Sequence, residues 1–201
     1  MLHFNLNKHK NEINEGEQIM RLQIFILLGL VLGIGFTVAF NDVIEQKSKK
    51  FGNHQVTQIG LVVHDIEKST RAYAALLGMP VPQIMVTDPL EKAHTLYRGK
   101  STEAQAKLAF FHLENITIEL IEPIGGPSTW QEALENQGEG IHHIAFQVQG
   151  MDEHISLLEK QGGNLVQRGD FTGGSYAYVD LTSQLGVILE LLISTNQESK
   201  E

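Results

Sequence analysis

The chain has 201 residues, no cysteine and a formal net charge of −9. That length allows one domain, or two small modules around a shared core, with some sequence to spare. Without cysteine there is no disulfide scaffold, thiolate zinc site or cysteine nucleophile, and the acidic balance excludes the basic footprint of a general nucleic-acid binder. The acid is unevenly placed: residues 1–50 hold six Lys/Arg and five Asp/Glu, whereas residues 51–201 hold nine and 19.

Residues 1–23 are mostly polar. From Ile24 to Phe40 follows IFILLGLVLGIGFTVAF, 17 residues without charge or proline, at the short limit for a membrane-spanning helix. Gly29, Gly33 and Gly35 weaken a water-exposed helix but are common in membrane ones. The run predicts a single-pass N-terminal anchor. Translation from Met20, with Arg21 next, would instead give the charged start and apolar centre of a signal peptide, cleaved after Ala39 to export the remainder. Lys8, Lys10 and Arg21 on one side balance Lys47, Lys49 and Lys50 on the other, so the positive-inside rule assigns no orientation. Residues 41–53 read as a polar linker.

Beyond the linker the chain repeats itself. QIGLVVHDIEKSTRAYAALLG from Gln58 and HIAFQVQGMDEHISLLEKQGG from His143 align at an offset of 85: Ile59 with Ile144, Gly60 with Ala145, Leu61 with Phe146, Val63 with Val148 and Gly78 with Gly163. Each copy opens as a short apolar strand and continues as an amphipathic helix, with apolar spacing Ala72, Leu76 in the first and Ile155, Leu158 in the second. Residues 82–105, with Pro82, Pro89 and scattered charges, predict an irregular connection. Lys107–Leu113 and Ile116–Ile121 then flank Glu114-Asn115, a hairpin signal. After the Gly125-Gly126-Pro127 loop, a helix is predicted over Ser128–Asn136, with Trp130 as a packing residue. The second copy closes with Tyr176–Asp180 and Val187–Leu192 around a Thr182–Gly186 loop. ITIELIE and GVILELL end the two copies alike. Modules at 54–123 and 140–193, each strand–helix–strand–strand–strand, predict an α+β fold: a curved, mixed sheet of eight strands with helices outside. Residues 194–201 predict a disordered tail.

Four polar positions recur by this symmetry: Gln58 and His143 on the first strands, Glu119 and Glu190 on the last. A carboxylate among core-forming neighbours must face solvent or find a strong partner. Pairing of the modules would bring all four into the hollow of the sheet. Carboxylate, imidazole and amide oxygen together suit a divalent ion of intermediate hardness: Zn, Co, Mn, Ni or Mg.

On these features residues 54–193 resemble the vicinal-oxygen-chelate superfamily, which includes glyoxalase I, methylmalonyl-CoA epimerase, fosfomycin-resistance proteins and extradiol dioxygenases. The segments GEGIHHIAF (138–146) and IELIEP (118–123) are most similar to methylmalonyl-CoA epimerase. The resemblance implies one divalent metal on Gln58, Glu119, His143 and Glu190, a small carbonyl or thioester substrate, and association as a homodimer. It also implies a reaction: the α-proton of a carbonyl compound is removed with metal stabilisation of the enolate, with Glu190 as the catalytic base. Gln58 stands where the epimerases usually carry His. The Gln–Glu–His–Glu set is instead that of animal-type glyoxalase I, yet the positions that would grip glutathione are Val62, Pro123 and Glu139, which cannot hold its carboxylates. A lactoylglutathione lyase, another lyase of the superfamily, or a non-catalytic binding module are the alternatives. An epimerase needs a second acid/base, for which His112 and Lys107 are the candidates. Strand alternation places His142 on the sheet face opposite His143, in a supporting role. An exported domain would sit apart from coenzyme A thioesters, so membrane side and substrate are linked questions.

Overall fold

The structure, a computed structural model, describes residues 55–194. The apolar run 24–40, the flanking segments 1–23 and 41–53 and the tail beyond 194 lie outside the described residues. No helix among the described residues is long and apolar enough to cross a membrane.

Each sequence copy folds as one unit. The first runs β1 (Val56–Val62), α1 (Ile66–Leu77) and β2 (Met85–Val86). A short helix α2 (Leu90–Ala93) and a hairpin, β3 (Leu96–Tyr97) and β4 (Lys100–Ser101), then precede β5 (Ala104–His112) and β6 (Thr117–Gly125). Helix α3 (Thr129–Gln137) joins the units. The second unit runs β7 (Gly140–Gln147), α4 (Met151–Lys160), β8 (Asn164–Phe171), β9 (Gly174–Asp180), the single turn α5 (Thr182–Leu185) and β10 (Ile188–Ser194).

All ten strands form one mixed sheet, in the order β2-β5-β6-β1-β7-β10-β9-β8-β3-β4. Its centre is the antiparallel pair β1–β7, in which Ile59 lies opposite Ile144. The offset of 85 in the sequence is therefore the pseudo-twofold of the sheet. On either side, β1 runs parallel to β6 and β7 parallel to β10.

The eight strands expected from the repeat are ten. The stretch expected to be irregular supplies β2, which pairs with β5, and the β3–β4 hairpin, which crosses to β8 of the other unit through Leu96 opposite Arg168. Two-residue strands are too short for alternation to register, so only pairing with a distant strand defines them. Arg98 and Gly99, with φ of 48° and 76°, form the two-residue turn of this hairpin, where positive φ at both positions matches strand twist.

Three clusters hold the sheet. Ile66 and Ala74 of α1 pack on Ala109, Phe111 and Leu120, the outer face of the first unit. Met151, Ile155 and Leu158 of α4 pack on Ala177, Val179, Leu189 and Leu191, the outer face of the second. Trp130 and Leu134 of α3 instead pack with Val62, Ala106 and Ile121 of one unit and Val166 and Tyr178 of the other. Ile121 and Tyr178 alternate with Leu120 and Val179, so α3 lies on the inner face and not outside the sheet. Full burial of one large apolar side chain in these clusters contributes about 1.5–3 kcal/mol.

The buried stripe of α1 also differs from the expected one. Ile66, Thr70 and Ala74 face the core, and Leu76 is 81% exposed. Ala72–Leu76 and Ile66–Thr70–Ala74 share the same four-residue spacing. The phase is set at the start of the helix, where Asp65 accepts a hydrogen bond from the Lys68 N–H and Ile66 inserts into the core. Gly78, at φ 65°, ends the helix in the left-handed conformation. Ser128 caps α3 in the same manner as Asp65, accepting from the Gln131 N–H.

Candidate metal centre

The inner face places the four symmetry-related side chains together. Glu119 stands between Phe110 of β5 and Gly60 of β1, and Glu190 between Ala145 of β7 and Tyr178 of β9. His143 lies opposite Gly60 on the central pair. The Gln58 amide donates to Glu119 Oε2 at 2.6 Å. His143 Nε2 is 3.5 Å from Glu119 Oε2 and 3.1 Å from Glu190 Oε2. One ligating atom each from Glu119, His143 and Glu190 falls within 4.8 Å of the others, and all three residues are buried.

This close packing depends on Gly60. A Cβ at that position would sit 2.0 Å from His143 Cε1 and 2.5 Å from both ring nitrogens. The imidazole therefore lies directly over the glycine. The equivalent residue on the other central strand is Ala145, and Gln58 opposite it bonds Glu119.

The Glu119 carboxyl is raised to about 8: burial and then the neighbouring Glu190 charge push it up, against the opposing pull of His143 and the Gln58 hydrogen bond. Burial disfavours the charged form of His143, but Glu190 and then Glu119 outweigh it and raise its pKa. Burial, and after it the nearby His143, holds His142 well below the ordinary histidine range. Tyr178 is pushed well above its usual value by burial and then by the two glutamates, so its hydroxyl stays protonated.

The residues present fit a divalent cation. Two carboxylates and an imidazole converge where water is excluded, and no Lys or Arg pairs with either glutamate among the described residues. His143 Nε2 and Glu190 Oε2 meet at 3.1 Å in an ion-pair contact that is poorly aligned as a hydrogen bond. A cation held between the imidazole and the two carboxylates would satisfy these atoms better than that contact does.

His142 departs from its expected place. The β1–β7 register passes from Gly60 opposite His143 to Leu61 opposite Ile141, so His142 is the extra residue of a β-bulge. The bulge cancels the alternation that would send it to the far face. Its ring stands perpendicular to that of His143 at 5.3 Å, with the two Nδ1 atoms 3.0 Å apart. The contact orients His143 so that Nε2 meets the carboxylates, the part usually played by an outer-shell partner of a metal-bound histidine.

Lys107 and His112 are five positions apart along β5 and cannot share a face. Lys107 bonds Glu122 at 2.6 Å, and its alternation partners Ala109 and Phe111 pack under α1, so it lies on the outer face. His112 is on the inner face beyond Phe110, but exposed at the end of the strand, where it meets Thr117 Oγ1 at 3.1 Å and stacks on Phe110. Neither joins the glutamates.

Gln58, Glu119 and Glu190 open onto a cavity of about 510 Å³. Its wall includes aromatic residues that the repeat did not point to: Trp130, Tyr176, Tyr178 and Phe110. Trp130 Nε1 donates to Tyr178 Oη at 3.1 Å, and its ring stacks on Tyr176. Gln167 donates to Tyr176 Oη at 3.1 Å and accepts from the Thr129 N–H at 2.8 Å, fixing α3 against β8. The available signal was alternation: Tyr176 and Tyr178 share a face, and register places Tyr178 opposite Glu190.

Comparison with known proteins agrees with this architecture. The family model described as Glyoxalase/Bleomycin resistance protein/Dioxygenase superfamily matches residues 57–179. The uncharacterized protein YqjC of Bacillus subtilis (strain 168) is 27% identical over 141 residues, covering 69% of this chain and 91% of YqjC. Among solved structures, hypothetical protein BH1468 from Bacillus halodurans C-125 aligns with a TM-score of 0.53 at 24% identity, over 73% of this chain and 97% of that one. A methylmalonyl-CoA epimerase in complex with methylmalonyl-CoA and NH4+ aligns at 0.52 and 22%, over 73% and 98%. The methylmalonyl-CoA epimerase of Mycobacterium tuberculosis aligns at 0.52 and 20%, over 70% and 87%. At these identities the structural likeness is one of fold.

Proposed function

The chain belongs to the Glyoxalase/Bleomycin resistance protein/Dioxygenase superfamily, and on that premise we propose that it is a divalent-metal enzyme that moves a proton α to a carbonyl, as an epimerase-like isomerase. The observation that carries this reading is the buried convergence of Glu119, His143 and Glu190, with ligating atoms within 4.8 Å of one another, beside a cavity of about 510 Å³ that both glutamates line.

Gln58, Glu119, His143 and Glu190 would hold the ion, which when bound supplies Lewis-acid stabilisation of charge developing on a carbonyl oxygen. Glu190, which lines the cavity, is the base that takes the α-proton. Gln58 holds Glu119 by its amide and fixes which oxygen faces His143. His142, kept neutral by burial, orients the His143 ring. Tyr178, rather than His112 or Lys107, is the second proton-handling group. Its oxygen accepts from Trp130, leaving its own protonated hydroxyl to return a proton to the enolate carbon on the face opposite Glu190, after which proton exchange with solvent resets both groups. Trp130 and Tyr176 wall the site from water.

The lactoylglutathione-lyase alternative loses support at each gripping position. Val62 is 1% exposed in the inner core, Pro123 has no donor to offer, and the Glu139 carboxylate is engaged by the His64 N–H at 2.8 Å. None holds a glutathione carboxylate.

The test is solvent exchange. The protein loaded in turn with Zn, Co, Mn, Ni or Mg is incubated in D₂O with methylmalonyl-CoA and with an α-hydroxyketone, and α-deuterium is read by mass spectrometry. Glu190→Gln should slow exchange by about 10²–10⁴-fold. Undiminished exchange removes Glu190 as base, and absence of any bound divalent ion returns the chain to the binding-module alternative.

A further inference from the structure

The cavity is graded from its floor outward. At the floor, Glu119 and Glu190 have side chains 7% and 5% exposed. The middle is apolar and aromatic, with Leu108, Phe110, Trp130 and Leu192 among its lining residues. At the mouth, two further carboxylates line the same cavity: Asp88, 29% exposed, and Asp170, 52% exposed. They come from different units, Asp88 from the connection before α2 and Asp170 from the end of β8. Thr172 donates to Asp88 Oδ2 at 3.3 Å, and His94 Nδ1 meets Asp170 Oδ2 at 2.9 Å. No Lys or Arg lines the cavity among the described residues. Lys92 approaches Asp88 at 3.8 Å but is 73% exposed, where water screens it.

Such a cavity disfavours negative charge along its whole depth. Two carboxylates at the floor need the cation for themselves, the apolar middle desolvates whatever enters, and the mouth repels a second anionic group. Glu190, 4% exposed and lining the cavity beside His143, marks the reacting end. Building on the proton-transfer reading above, we propose that the site takes a compact carbonyl compound with an aromatic or other apolar body, neutral or cationic at its outer end. Asp88 and Asp170 act as the charge filter that enforces this. An acid-bearing acyl thioester is then a poor ligand: its carboxylate and its phosphates find no basic side chain in the lining.

The divalent-loaded full chain is titrated at low ionic strength with 2-hydroxyacetophenone and with its 4-carboxylate and 4-trimethylammonium derivatives. All three present the same vicinal oxygens and differ in charge at the far end. Binding is followed by calorimetry and by fluorescence of Trp130, the one Trp in the chain. The neutral and cationic probes should bind about tenfold tighter than the carboxylate, and the Asp88→Asn/Asp170→Asn double variant should erase that ranking with an unchanged circular dichroism spectrum. Equal or tighter binding of the carboxylate overturns the filter, and so does a ranking that survives in the double variant. Deuterium uptake by the bound neutral probe separates the two readings. Ranked binding without exchange keeps the filter and sinks the proton transfer; exchange without ranking does the reverse.

Discussion

The two units are copies that differ where it matters. At equivalent positions the first carries Gln58 and Gly60, the second His143 and Ala145. The second joins its helix to its next strand through Gln161-Gly162-Gly163 alone, whereas the first spends the residues between β2 and β5 on α2, β3 and β4. Symmetry brings four polar side chains to one point, and asymmetry turns that point into a site. One imidazole lies over one glycine, and the long connection of the first unit builds the mouth of the cavity. A perfect repeat would give two histidines, each over its own small residue, and an open trough.

The sharpest way to break this comparison is to exchange the small residues of the central pair. Gly60→Ala puts a methyl group into the buried His143 ring. It should lower unfolding free energy by about 1–3 kcal/mol through overpacking and weaken divalent binding by about 10–100-fold by moving a ligand. Ala145→Gly, the mirror change, should cost only about 0.5–1 kcal/mol of backbone entropy and leave the affinity unchanged. Urea unfolding and calorimetric titration with Zn or Co measure both. Equal effects of the two substitutions would mean that His143 does not depend on Gly60.

The next test uses the paired glutamates. Glu119, ordinarily near 4.5, is raised to about 8 by burial and by Glu190, so the cation-free folded state keeps a proton that the unfolded chain has released. Its contribution to stability is full below about 4.5 and is lost as pH rises toward about 8. The raised pKa of His143 acts in the same direction. Thermal unfolding of the cation-free protein between pH 5 and pH 8 should therefore show a falling midpoint, and Glu119→Gln, neutral at every pH, should flatten the fall. Saturating divalent ion should remove most of it by replacing the proton. A slope unchanged in Glu119→Gln would place the linked proton elsewhere.

Much of this was readable before any coordinates, and the limits have physical causes. The offset of 85 is the β1–β7 register, because a pseudo-twofold sheet must pair equivalent residues at its centre. The convergence of Gln58, Glu119, His143 and Glu190 follows from the same symmetry. Three features escaped because they lack a local signal. β3 and β4 are two residues long and exist only by pairing with β8. The bulge at His142 results from fitting two strands together and leaves no mark on one of them. The face of α1 is ambiguous in the sequence because Ala72–Leu76 and Thr70–Ala74 have identical spacing, and only the insertion of Ile66 selects between them. Placement of α3 inside the curl, which puts Trp130 on the cavity wall, likewise depends on both units being present.

The smallest expected effect concerns the hairpin that crosses between the units. Arg98 bonds Glu132 of α3 at 2.8 Å through its guanidinium, in a pair whose side chains are 52% and 38% exposed. It does so from φ 48°, a left-handed conformation unfavourable to arginine. Arg98→Ala removes the ion pair and keeps the strained backbone, so it should cost about 0.2–1 kcal/mol. Arg98→Asn removes the same pair but supplies Asn-Gly, the sequence that a two-residue turn with positive φ at both positions prefers. The two terms then oppose, and stability should equal or exceed that of the parent. Paired urea curves separate the cases. If asparagine destabilises as much as alanine, the ion pair to α3 holds β3 against β8; if asparagine restores stability, the turn does. The second outcome makes the crossing hairpin a self-standing insertion, which a repeat can acquire without altering the copy it lands on.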